Sequence, residues 1–223
     1  MQRLERRLIW LTVYAVAMAY LESAVVVYLR VIYYPDGFSL PFVLIEPGMA
    51  AIEVGREAAT LVMLLGVTAA MSVDRWEWFL AFCLSFGVWD IFYYLWLKVF
   101  LDWPPSLLTW DILFLIPVPW IGPVLAPIIV SVGLIVGSLL LFRMKRQGSR
   151  LRFPPWVWGL AVTGGAVVLL SFTLDFRAVL AQLEPPPFRW WLFAAGMTCG
   201  VAALAFGVSR HGQVETGAGR VGR

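Results

Sequence analysis

Residues 153–174 of the chain read FPPWVWGLAVTGGAVVLLSFTL and contain no charged side chain. About 20 mostly apolar residues in a helix are enough to cross the hydrocarbon core of a bilayer. A stretch of this length without a single charge therefore predicts a membrane-spanning helix. Residues 190–209 form a second uncharged stretch of the same kind.

The composition of the whole chain extends this prediction. The chain has 223 residues, of which 61% are hydrophobic and 14% charged, and its mean hydropathy is +0.82. Soluble domains have about 25% charged residues, so this chain lacks the charge to cover a soluble surface. The predicted fold class is all-α, a polytopic membrane bundle of about six spans. The expected spans are 8–34, 49–73, 78–101, 121–142, 154–176 and 189–208.

One uncharged region, 112–142, is too long for a single span, and it contains four prolines at positions 117, 119, 123 and 127. Proline breaks a helix because it lacks the N–H and its ring clashes with the preceding turn. The sequence therefore predicts a short interfacial or re-entrant helix at 107–116 before the fourth span. Residues 1–208 are predicted to form a single transmembrane domain, and the polar, glycine-rich residues 209–223 a disordered cytoplasmic tail.

The distribution of Lys and Arg predicts the orientation. Most of the 17 basic residues fall on segments at the side of the N-terminus, including the cluster between Arg143 and Arg152. Cytoplasmic loops carry this excess, so both termini are expected in the cytoplasm and the protein in the plasma or inner membrane. The same rule accounts for the pI of about 9.1 without a nucleic-acid partner.

Charged side chains interrupt the interior of only the first three predicted spans, since Asp175 and Arg189 lie at the ends of the fifth and sixth. Helical rise places these groups in the middle and outer half of the bilayer. Glu53, Arg56 and Glu57 share one helix face at spacing i, i+3, i+4, while Asp90, Tyr94 and Lys98 follow one another at intervals of four. The predicted site is an outward-facing polar cavity between these spans, and its candidate residues are Glu22, Glu53, Arg56, Glu57, Asp90, Tyr93, Tyr94, Lys98 and Asp111.

Ionisable side chains inside a membrane are costly and commonly functional. The leading hypothesis is binding or transport of a small solute, a proton or a cation, with Glu22, Glu57 and Asp90 lining the cavity and Arg56 orienting them. Tyr93 and Tyr94 would supply hydrogen bonds, and Lys98 and Asp111 would lie at the outer mouth. In a purely structural alternative, Arg56 pairs with Glu53, Glu57, Glu22 or Asp90 and fixes the helix register, while Arg30 and Lys98 extend to the interface.

Two further classes of function remain open. An intramembrane enzyme acting on a lipid or isoprenoid would use carboxylates as acid and base, in a long apolar groove beside Asp90. A structural or assembly subunit would rely on its small-residue faces. Gly133 and Gly137, or Gly196 and Gly200, permit close helix packing, either within the chain or in a homodimer.

No cofactor and no metal site are predicted. The only histidine, His211, lies in the tail, so a haem or zinc site held by histidines inside the membrane is excluded. A hard cation held by oxygen atoms of Glu22, Glu57 and Asp90 is the remaining metal alternative. The glycines at 217, 219 and 222 match a dinucleotide motif, but no strand precedes them and the chain ends one residue later.

Overall fold

The computed structural model describes residues 2–149 and 151–218, with side chains for 4–149 and 151–209. Within these ranges, six helical segments are long and apolar enough to cross a membrane. The all-α bundle of about six spans is confirmed, and the chain is a multi-pass integral membrane protein. The elements are α1 Gln2–Tyr33, α2 Pro47–Met71, α3 Arg75–Leu101, β1 Trp110–Phe114, β2 Trp120–Pro123, α4 Leu125–Arg146, α5 Pro155–Thr173, α6 Phe176–Leu180 and α7 Trp190–Ala218.

The short helix predicted at 107–116 is wrong, because β1 and β2 form an antiparallel hairpin there. Asp111 pairs with Gly122 and Ile112 with Ile121, and the register shifts between Ile112 and Phe114. Residues 110–114 are rich in aromatic and β-branched side chains, which favour strands. Pro117 and Pro119 then supply the break between the strands, where a helix could not continue.

The chain divides into two compact units. Unit 1 comprises Met1–Ser138 and Phe172–Phe188, and unit 2 comprises Leu139–Ser171 and Arg189–Arg223. The single domain predicted for residues 1–208 stays a prediction. The structure continues α7 to Ala218, whereas the sequence predicts disorder from 209. The sequence 190–218 contains no proline that would end the helix earlier, and residues 219–223 lie outside the described part.

In unit 1, α1 and α3 run parallel and α2 runs antiparallel to both. Ser23 Oγ of α1 donates to Tyr93 O of α3 at 3.0 Å. At the opposite end of the helices, Arg7 of α1 approaches Glu77 of α3 at 3.9 Å. One end of unit 1 contains the last residues of α1 and α3 and the first residues of α2. We call it the hairpin end, because β1 and β2 follow α3 there.

Helix α2 buries polar residues and exposes apolar ones, which is the reverse of a helix on the surface of a soluble protein. Its buried residues are Glu53, Glu57, Thr60, Leu64 and Thr68, which recur at the spacing of one helix face. Large apolar side chains of the same helix, such as Val62, are exposed. In a membrane protein the outward face contacts lipid, so the polar groups of α2 are directed towards the other helices.

Gly87 permits close contact between α3 and α4 within unit 1. A Cβ atom at this position would lie 2.7 Å from Ser131 O and 2.9 Å from the Ile135 side chain. Such distances are shorter than any ordinary van der Waals contact, so a larger residue would push the helices apart. The glycine thus brings Ser131 of α4 to the level of Asp90 on α3.

We expect Gly87→Ala to lower the free energy of unfolding by about 1–3 kcal/mol, the usual cost of overpacking. Gly66→Ala in α2 is the matched control, because a Cβ there meets nothing within 4 Å. That control should be neutral or stabilising by up to about 1 kcal/mol, since alanine favours helix. Unfolding in mixed detergent micelles measures both, and equal effects of the two substitutions would contradict the tight α3–α4 contact.

In unit 2, α5 and α7 pack through glycines. A Cβ on Gly164 would lie 2.8 Å from Gly196 O, and a Cβ on Gly196 would lie 2.8 Å from Gly164 O. Gly196 therefore takes part in packing within the chain. A homodimer through Gly133 and Gly137, or through Gly196 and Gly200, stays a prediction.

Candidate functional site

A cavity of about 90 Å³ opens at the hairpin end of unit 1. Residues of α1, the 34–46 connection, α2, α3 and the hairpin line it. Most of its wall is apolar, but ionisable and hydroxyl side chains converge on it from each of these elements. These polar lining residues are Arg30, Tyr33, Tyr34, Glu53, Arg56, Glu57, Tyr93 and Asp111.

Arg56 lines the cavity and connects two carboxylates. It forms an ion pair with Glu22 of α1, and its Nε donates to Glu53 Oε2 at 2.8 Å. Thr60 Oγ1, one turn further along α2, donates to Glu22 Oε2 at 3.1 Å. Because Glu22 and Glu53 lie on different helices, this cluster fixes the position of α2 against α1.

Glu57 is bound in a different way. Its side chain is buried, and its Oε2 accepts the backbone N–H of Leu115 at 2.8 Å. Among the described side chains, no Lys or Arg forms an ion pair with Glu57. The carboxyl group therefore attaches α2 to the end of β1, and within the described chain it has no ion-pair partner.

Arg30 and Asp111 form the most enclosed ion pair of the cavity. Arg30 Nη2 lies 3.2 Å from Asp111 Oδ1, and the two residues are 7% and 2% exposed. The guanidinium also lies over the rings of Phe38 and Trp103, with Cζ 4.1 and 3.7 Å from their centroids. This arrangement combines a carboxylate with two cation–π contacts around one cation.

Asp111 belongs to the hairpin, outside the spanning helices. Burial raises the pKa of Asp111 to about 6, and the neighbouring Arg30 guanidinium opposes this rise. Within the described chain, Asp111 Oδ2 and Arg30 Nη1 are buried and have no hydrogen-bond partner. Arg30 therefore leaves one donor available beside the cavity, and the Asp111 carboxyl also interacts with the Tyr94 hydroxyl.

The predicted site residues separate into two groups. Glu53, Arg56, Glu57, Tyr93 and Asp111 line the cavity. Glu22 joins them through Arg56. Their role as a site stays a prediction.

The other three predicted residues do not line the cavity. Asp90 Oδ2 accepts a hydrogen bond from Ser131 Oγ at 2.7 Å. Tyr94 is buried in an apolar cluster with Leu97, Trp103 and Val124. Lys98 is exposed and pairs with Asp102 at 2.6 Å.

The cavity also contains Arg30, Tyr33 and Tyr34, which are not among the predicted site residues. The sequence predicts that Arg30 extends to the interface, since an arginine near a helix end can do so. The signal that could have found Arg30 is the density of aromatic residues at 33–42 and 103–114, which can enclose a guanidinium. Tyr34 stabilises the 34–46 connection after α1, because its hydroxyl accepts a hydrogen bond from the backbone N–H of Val43 at 2.7 Å.

No group of three Asp, Glu, His or Cys side chains is placed to hold a metal ion within the described residues. Cys83 and Cys199 are free and half-buried. Comparisons of the chain with models of protein families, with curated proteins and with solved structures found no match.

Proposed function

We propose that the protein binds a small monovalent cation in the cavity at the hairpin end, with Glu57 as the principal ligand. In the orientation expected from the basic residues, both termini would lie in the cytoplasm of a plasma or inner membrane and the cavity would face outward. The bound cation would then exchange with the outer solution. A membrane protein that handles a small cation or solute is the functional class.

The observation that supports this proposal most strongly is the environment of Glu57. The carboxylate is buried, lines the cavity and receives one peptide N–H, while Arg56 one residue earlier is already bound to Glu22 and Glu53. A buried charge without a counter-charge is unfavourable. A cation in the cavity would supply that counter-charge.

The charge of the whole site agrees with a cationic ligand. Four carboxylates, those of Glu22, Glu53, Glu57 and Asp111, belong to it, and two guanidinium groups, those of Arg30 and Arg56, oppose them. With all groups ionised, the carboxylates exceed the cations by two. Such an excess in a low-dielectric surrounding attracts cations and repels anions.

The lining of the cavity favours an ion over a lipid. Charged side chains from α1, α2 and the hairpin face it, namely Arg30, Glu53, Arg56, Glu57 and Asp111. A lipid or isoprenoid needs a long apolar groove, expected beside Asp90. Asp90 instead bonds to Ser131, so this alternative has less support.

The alternative that the charged residues only hold the helices together applies to some of them. Glu22, Glu53 and Arg56 neutralise most of one another's charge and join α1 to α2. These three residues are therefore interpreted as a positioning cluster that holds the face of α2. Glu57 lies on the same face of α2 but takes no part in these ion pairs.

We expect ammonium, Na⁺ or K⁺ to raise the melting temperature of the wild type, and Glu57→Gln to abolish this effect. A ligand whose free concentration is 100 times its Kd stabilises the folded state by about 2.7 kcal/mol. The glutamine keeps an oxygen for the Leu115 N–H but carries no charge. Thermal unfolding in lipid nanodiscs at constant ionic strength, balanced with tetrabutylammonium, measures the shift.

Glu46→Gln is the matched control, because Glu46 is exposed and lies outside the lining of the cavity. This variant should keep the full response to cations. If no small cation stabilises the wild type more than tetrabutylammonium does, the proposed function is wrong. An unchanged response in Glu57→Gln would remove Glu57 from the site.

A further inference from the structure

We propose that Asp90 is a second, deeper binding site for a proton, and that it exchanges protons with the cavity through Asp111 and Tyr94. The site consists of the Asp90 carboxylate and the Ser131 hydroxyl at the contact between α3 and α4. Its ligand is the proton itself. The proposal does not depend on cation binding by Glu57.

The entrance of this route is Asp111. Its side chain is 2% exposed and lines the cavity, and Oδ2 is buried without a hydrogen-bond partner in the described chain. Oδ1 is held by Arg30 at 3.2 Å. One oxygen is thus fixed by the cation, while the other is available to hold a proton.

Tyr94 forms the middle of the route. It is 5% exposed and packs against Trp103, with ring centroids 6.4 Å apart, and Trp103 also stacks on the Arg30 guanidinium that holds Asp111. Tyr94 is four residues after Asp90, so both side chains lie on one face of α3, one turn apart. The charges of Asp111 and Asp90 both act on the Tyr94 hydroxyl.

Asp90 and Ser131 form the inner end. Ser131 is 1% exposed, and its hydroxyl donates to Asp90 Oδ2 at 2.7 Å. A serine hydroxyl can rotate and accept instead of donate. Ser131 can therefore hydrogen-bond Asp90 in both its ionised and its protonated form, which suits a group that gains and loses a proton.

The charged groups around the route are few. Asp111 is the other carboxylate that acts on Asp90. At the entrance, Arg30 from α1 faces Asp111 from β1. Glu22 and Arg56 act on the neighbouring Tyr93, at the cavity side. The Arg30 guanidinium therefore stabilises the negative charge on Asp111 that remains when its proton leaves.

The transfer needs only proton movement between oxygen atoms. The O–H bond of protonated Asp111 breaks and a new O–H bond forms on Tyr94, while the original Tyr94 O–H bond breaks and an O–H bond forms on Asp90. Each electron pair stays on its oxygen. The net result moves one proton from Asp111 to Asp90 and one negative charge from Asp90 to Asp111, beside Arg30.

Asp111 is suited to supply this proton. Its pKa of about 6 lies within two pH units of neutrality, so it gains and loses a proton in mildly acidic solution. The aromatic hydroxyl of Tyr94 keeps its own proton under these conditions, as phenols do near neutral pH. It can then act as a relay without becoming ionised at rest.

Time-resolved infrared spectroscopy after a drop in pH tests the proposal on the full chain in lipid nanodiscs. We expect a carbonyl band of a protonated carboxyl group that is lost in Asp90→Asn. We further expect Tyr94→Phe to slow the appearance of that band about 100-fold, within the range for loss of a positioned proton-transfer group. Phenylalanine keeps the ring packing, so this variant decides the result if Asp90→Asn does not assemble.

Tyr28→Phe is the matched control, because Tyr28 lies on the exposed side of α1 at 66% exposure and should leave the band and its rate unchanged. The proton site is wrong if no band is lost in Asp90→Asn. The relay is wrong if Asp90 becomes protonated at the wild-type rate in the Tyr94→Phe variant. Failure of the proposed cation site is recognised separately, as a missing thermal response that leaves this band in place.

Discussion

Arg56→Met is expected to lower the free energy of unfolding by about 3–5 kcal/mol, the usual cost of removing one partner from a buried ion pair. The reason is that Arg56 neutralises two carboxylates at once. Glu22 would keep only the Thr60 hydroxyl at 3.1 Å among its described hydrogen bonds, and Glu53 would lose its 2.8 Å contact. Unfolding in mixed detergent micelles measures the change.

The matched comparison is the triple variant Glu22→Gln, Glu53→Gln and Arg56→Met, which removes the cluster as a whole. Replacing a complete buried ion cluster by neutral groups is often close to neutral in stability. The triple variant should therefore recover at least about half of the loss seen in Arg56→Met, through coupling between neighbouring sites. Additive effects of the substitutions would contradict the cluster.

Arg30→Met is expected to destabilise the protein more at pH 8 than at pH 5. Arg30 holds the pKa of Asp111 down against the effect of burial, so its removal raises that pKa above about 6. A carboxyl whose folded-state pKa is raised contributes most below its unfolded value of about 3.9, and the contribution is lost as pH rises through the folded value. The decrease in the free energy of unfolding caused by Arg30→Met is therefore larger at pH 8 than at pH 5.

The expected cost of Arg30→Met is about 1–2 kcal/mol at pH 5, from the lost contacts with Phe38 and Trp103, and about 3–5 kcal/mol at pH 8. Unfolding measured at both values tests this difference. In the background of Asp111→Asn, the cost of Arg30→Met should no longer depend on pH in this range. A pH-independent cost in the wild-type background would show that the two groups are not coupled.

The helices could be predicted from the sequence because the membrane leaves few choices for the backbone. The span predicted at 49–73 is α2 Pro47–Met71, and the one at 78–101 is α3 Arg75–Leu101. The hairpin was missed because local apolarity at 107–116 does not reveal pairing. Strand β1 depends on a partner beyond two prolines.

The candidate site was predictable where it follows helix periodicity. The contact of Arg56 with Glu53 follows from their spacing of three, and Glu22 is one of the partners that the structural alternative predicts for Arg56. The bond between Glu57 and the Leu115 N–H could not be foreseen, since it depends on the hairpin. Lys98 shares a face with Asp90 but lies two turns away, about 12 Å along the axis, so its surroundings differ.

The separation of Arg30 from Asp111 along the chain has a consequence for biosynthesis. The two residues are 81 positions apart, and α2 and α3 are translated between them. During synthesis α1 is therefore complete long before its acidic partner leaves the ribosome. Arg30 lies in the last turn of α1, where its charge can stay at the membrane surface until the hairpin arrives. We therefore expect this arginine to become enclosed only after the hairpin has been synthesised, later than the insertion of α1.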